Sequence, residues 1–180
     1  MGPRDGRIAR LLLIIAIVVA EADEALYLFV IFNQSPPRAP DVLTVPFVAS
    51  FIQLMAILVG ISLLSSPAVV RLRSALRGGA AAGLLVLGVI GAFSIGAPLF
   101  LAGVVVLGVA VRTVSQAPAL LSIISAFAAA LVVVALLVTG FEVTARVIEC
   151  PADGSSGGSW NGIVTGGFTW DCVEGQVQFK

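Results

Sequence analysis

The chain has 180 residues, 59% of them hydrophobic and only 11% charged, with ten basic residues balanced by ten acidic ones. Soluble globular domains carry roughly a quarter charged residues, so this composition excludes a water-soluble domain and predicts an all-α integral membrane bundle. The lack of histidine excludes bis-His haem, His-based zinc sites and a Ser–His–Asp triad, and no basic patch is large enough to track nucleic-acid phosphates. No cofactor, metal or nucleic acid is therefore expected. Every base except Lys180 is arginine, a bias of GC-rich bacterial coding.

The first apolar run starts at Ile8 and resumes after Glu21, Asp23 and Glu24 as Ala25–Phe32. Two readings compete. Residues 1–20 have the layout of a signal peptide, with Arg4, Arg7 and Arg10 before an apolar core and Val18-Val19-Ala20 at the cut. Alternatively, residues 1–32 are retained as a first transmembrane helix, which the apolar continuation ALYLFVIF favours. Retention puts acids inside the bilayer, where each costs about 2.5–3.5 kcal/mol at a helix centre. Glu21 and Glu24 then share a helix face, while Asp23 points elsewhere. Gln53, midway along the second apolar run, is the expected hydrogen-bond partner of Glu21. Glu21, Asp23, Glu24 and Gln53 form the candidate intramembrane polar cluster.

Residues 33–41, NQSPPRAPD, read as a breaker-rich loop. Residues 42–65 form the second span, with Pro46 in its first turns, where a missing N–H costs little. Residues 66–78 read as a short cytoplasmic loop bearing Arg71, Arg73 and Arg77. Residues 79–111 carry no charge. As one helix they would reach about 50 Å, too long for a hydrocarbon core of ~30 Å without steep tilt. The SIGAP stretch, Ser94–Pro98, supplies a break and predicts a tight helical hairpin of residues 79–95 and 98–111. Pro118 opens the last span, residues 118–141. Small residues at fourth positions, Gly79/Gly83 and Ser122/Ala126/Ala130, predict close helix approach.

Five spans put Arg4, Arg7, Arg10, Arg71, Arg73, Arg77 and Arg112 on one side, and Arg38, Arg146 and Lys180 on the other. The excess of arginine near apolar runs makes the first side cytoplasmic and the C-terminus extracytoplasmic, in a multi-pass protein of the cell membrane. A four-span alternative, with residues 79–111 as one crossing, would move Arg112 outside and the cysteines inside.

Residues 142–180 change character to Gly and Ser. Cys150 and Cys172 are expected to pair in an oxidising compartment, adding about 3 kcal/mol to a lobe too small for its own core. WNGIVTGGFTW predicts a short β-hairpin around a Gly turn. Trp160, Phe168 and Trp170 are the lobe's large anchors and the candidate partner contacts.

Taken together, these features predict a non-enzymatic accessory or scaffold subunit, with the lipid bilayer and other membrane subunits as its partners. The alternative is a proton- or cation-conducting subunit using the first-helix acids. A membrane enzyme would need carboxyl groups alone to carry its acid–base chemistry.

Overall fold

The computed structural model describes residues 3–34, 41–92, 96–116, 120–150, 156–162 and 164–180. In chain order it contains α1 (Pro3–Gln34), β1 (Asp41–Val42), α2 (Thr44–Ser62), α3 (Pro67–Ile90), α4 (Gly96–Gln116), α5 (Leu120–Thr144), β2 (Ile148–Glu149), β3 (Ser156–Trp160), β4 (Phe168–Val173) and β5 (Gln176–Phe179). Four helices, α2 to α5, are long and apolar enough to cross a membrane. Helix α1 is longer, at 32 residues, but carries Arg7, Arg10 and the three acids along its length. It runs unbroken through Ala20–Glu21.

The chain divides into two compact units, residues 1–27 with 51–137 and residues 28–50 with 138–180. In the first unit α1 buries Ala9, Leu13, Ala16, Ala20 and Asp23. That spacing of alternating fours and threes is one stripe of a helix, and small side chains on it let a neighbour come close. Helices α3 and α4 form an antiparallel hairpin. Arg77 meets Thr113, Leu85 meets Gly103 and Gly88 meets Phe100, so partners run in opposite order along the two helices. Gly88 is needed for this approach, because a Cβ there would lie 2.6 Å from the Phe100 backbone nitrogen. The break between the two helices falls at Gly91–Gly96; Ser94 and the residues on either side of it lie outside the described set.

One expectation needs correction. Residues 67–78, read as an arginine-bearing loop, are the first half of α3. Two local signals explain it. The Ser66 side chain caps the helix by accepting from Val69 N–H, and Pro67 stands in the first turn, where its fixed φ suits a helix and its missing N–H is not needed. The arginines do not break the helix, because straight-chain residues are good helix formers.

In the second unit β1 pairs antiparallel with β2, with Asp41 opposite Glu149 and Val42 opposite Ile148. Phe47 meets Phe141 edge-to-face with ring centroids 5.5 Å apart. The expected hairpin is present as β3–β4, with Trp160 opposite Phe168, and a third strand extends it in the order β3-β4-β5. The extra strand follows from a two-residue turn between Val173 and Gln176. Glu174 and Gly175 both have positive φ, 51° and 76°, which is the type I′ geometry that matches strand twist. Alternation puts Trp160, Phe168, Trp170 and Cys172 on one face of the sheet. Thr169, Asp171 and Val173 take the other face, where Lys180 bonds Asp171 at 2.7 Å.

Candidate functional site

The first-helix acids meet the second span through one side chain. Gln53 Nε2 donates to Glu21 Oε2 at 2.7 Å and to Glu24 Oε2 at 2.8 Å. The i, i+3 spacing on α1 brings both carboxyl groups to the face that Gln53 reaches. A single amide nitrogen has two hydrogens, so this arrangement uses both. Glu24 is buried and Glu21 is half-buried. Asp23 is not part of this group. It lies on the buried stripe at 7% exposure, and its Oδ2 has no hydrogen-bond partner among the described residues. A buried carboxyl oxygen without a partner is costly unless it carries a proton or holds a ligand.

A second polar cluster was not foreseen. Arg73 Nε donates to the Ser62 carbonyl at 3.1 Å and its Nη2 donates to the Leu64 carbonyl at 2.9 Å. Ser62 is the last residue of α2 and Leu64 lies two residues beyond it, so the guanidinium sits at the C-terminal end of that helix, where a cation favours the helix dipole. Arg77 lies one turn further on, at 7% exposure. Its Nε donates to Ser62 Oγ at 3.2 Å and its Nη1 donates to Thr113 Oγ1 at 2.6 Å. Both hydroxyls pass their own hydrogen to a backbone carbonyl within their helix, Ser62 to Val59 and Thr113 to Val109. One guanidinium thus ties α2, α3 and α4 together. The available signal was an arginine eleven residues after the Ser66 cap, three residues past Ser74 on the same side of α3.

The C-terminal lobe is held at three points. Cys150 and Cys172 form a disulfide with Cα atoms 5.7 Å apart. Glu142, buried in the last turn of α5, accepts from Val164 N–H at 2.9 Å and from the Thr165 hydroxyl. This carboxylate latches the loop between β3 and β4. Arg146 lies 5.8 Å over the Phe168 ring, which also meets Phe179 edge-to-face at 5.6 Å. Trp160, Phe168 and Trp170 are all half-buried. Trp170 covers Gly158, whose added Cβ would sit 2.8 Å from its ring. Val164, in the latched loop, is exposed at 73%. Among the described residues no group of three or more His, Cys, Asp or Glu is arranged to hold a metal ion.

No family model, curated protein or solved structure matches the chain.

Proposed function

We propose that this chain is a five-span accessory or scaffold subunit of a membrane complex, with a cytoplasmic N-terminus and a C-terminal lobe that meets its partner outside the cell membrane. The β1–β2 pairing supports the topology. Strands that share hydrogen bonds lie on one side of a bilayer, so an even number of crossings separates Val42 from Ile148. Four helices, α2 to α5, intervene. Counting α3 and α4 as one crossing would give three and break the pairing.

The observation that carries the functional reading is the rigid presentation of an exposed apolar loop tip. The Cys150–Cys172 bridge and the Glu142 latch fix the loop, and Val164 projects from it. A pre-ordered loop loses little entropy on binding, so even a modest apolar contact contributes net affinity. The half-buried Trp160, Phe168 and Trp170 supply the flanking anchors. A photocrosslinker at position 164 in intact cells tests this. A discrete adduct with one other membrane protein is the expected result. Adducts with lipid alone, or none, would overturn it.

A second reading rests on Asp23. Its unpartnered, buried carboxyl beside the Glu21–Gln53–Glu24 group favours a proton- or cation-conducting role. Proteoliposomes carrying the protein should then show a flux that Asp23→Asn abolishes. Flux that is absent or unchanged removes this reading.

A further inference from the structure

Helices α3, α4 and α5 enclose a groove of about 460 Å³ within the first unit. Its wall is apolar, made from small residues such as Gly78, Ala82, Ala110 and Ala130, with Phe127 and Val111 at the rim. Helices α3 and α5 touch where a Cβ on Gly78 would lie 2.9 Å from the Ala126 carbonyl. Along α3 the groove runs from Gly78 to Leu85, a depth of about 10 Å at 1.5 Å per residue. Gly78 and Ser115 line it at the end of the hairpin that carries the arginines.

We propose that this groove holds an acyl chain of one anionic phospholipid, with the lipid phosphate paired to Arg71. Charge selects this occupant. Arg71 stands seven residues before Gly78, two turns along the same face of α3, and is exposed. Arg73 is committed to the α2 carbonyls and Arg77 to Ser62 and Thr113. Arg71 has no acidic partner among the described residues. An apolar slot with an exposed guanidinium two turns beyond its end, on the same helix face, matches a lipid, whose charge sits at one end of its chains. Arginine binds phosphate through paired, charge-assisted hydrogen bonds.

The test uses the full chain in detergent with phosphatidylglycerol or phosphatidylcholine of identical chains, read by native mass spectrometry and by the thermal unfolding midpoint. Wild type should retain one phosphatidylglycerol and prefer it over phosphatidylcholine, with the midpoint rising as that lipid is added. Arg71→Gln should keep the fold and lose about fivefold of the preference. Val111→Trp, at an exposed rim position, and Ala82→Phe, in the wall, should fill the slot and lose the adduct of either lipid. Because Val111 is exposed, its variant should fold even where Ala82→Phe does not. Equal retention of the two lipids by wild type, or an adduct that survives Val111→Trp, overturns the proposal. So does a dimer or a co-purified protein that the filling variants release, which would assign the groove to a second copy or to a partner helix.

Discussion

The buried Arg77 makes an asymmetric prediction. Thr113→Val removes one acceptor from a guanidinium that is 7% exposed and cannot reach water in its place. A hydrogen bond to a charged group contributes about 1.5–3 kcal/mol, and leaving the charge buried forfeits most of that. Arg77→Met removes the same bond and the one to Ser62 Oγ as well. Yet it also removes the buried charge and keeps an apolar stem of similar reach. Ser62 and Thr113 still donate to Val59 and Val109, so neither hydroxyl hydrogen is orphaned. Replacing buried charge by packed apolar atoms is often neutral or stabilising. The smaller chemical change should therefore be the more damaging one. Thr113→Val is expected to cost about 2 kcal/mol, or ~4–8 °C in unfolding midpoint for a chain of this size. Arg77→Met should stay within about 1 kcal/mol of wild type. The double variant should resemble Arg77→Met, since the lost interaction is shared. Thermal unfolding in mild detergent, followed by circular dichroism, measures all four points of the cycle. If Arg77→Met is the worse single change, or if the two effects simply add, the reasoning about an isolated buried guanidinium is wrong.

Other expectations follow from the same geometry. Gln53→Leu strips both carboxyl groups of their donor and should cost about 1–3 kcal/mol, taking roughly 0.6–1.7 for each intramembrane bond, read as a lower unfolding midpoint. Glu142→Ala should free the loop between β3 and β4, so the Val164 amide, now bonded to that carboxylate, should exchange its hydrogen faster while the β4 amides hold. Serine at both Cys150 and Cys172 should cost about 3 kcal/mol and open residues 156–179 to proteolysis, with added reductant giving the same pattern in wild type. Gly88→Val forces α3 off the Phe100 backbone and should cost about 1–3 kcal/mol or more, visible as a lower midpoint.

Much of this architecture could be read from apolar run lengths. Helices α1, α2 and α5 follow the runs closely, and the split of the long uncharged stretch at Gly91–Gly96 was marked by its Gly and Pro content. The Gln53 contact could be foreseen because few polar side chains lie at that depth. The missed features share a cause. Arginines flanking an apolar run read as a loop when only hydropathy is weighed, and the Ser66-Pro67 start signal was overlooked. Arg77 was hidden because its acceptors, Ser62 and Thr113, lie 15 and 36 residues away and are common residue types. The third lobe strand was hidden because its turn uses Glu174 at positive φ, a conformation for which glutamate gives no warning. The pairing of β1 with β2 joins two-residue strands more than a hundred positions apart, too short to carry a pattern.

The sheltering of Arg77 also sets how much membrane the α3–α4 hairpin fits. With that guanidinium turned into protein, the part of α3 without an exposed charge extends from Ser74 to Ile90, about 25 Å. On α4 the matching stretch, Gly96 to Val111, is about 24 Å. The two arms agree with each other and fall short of a typical ~30 Å hydrocarbon core. A bilayer of that thickness around this hairpin would thin by about 5 Å, at a fraction of a kcal/mol per Å. The elastic penalty at this hairpin would grow with bilayer thickness, so short-chain membranes would suit these two helices best.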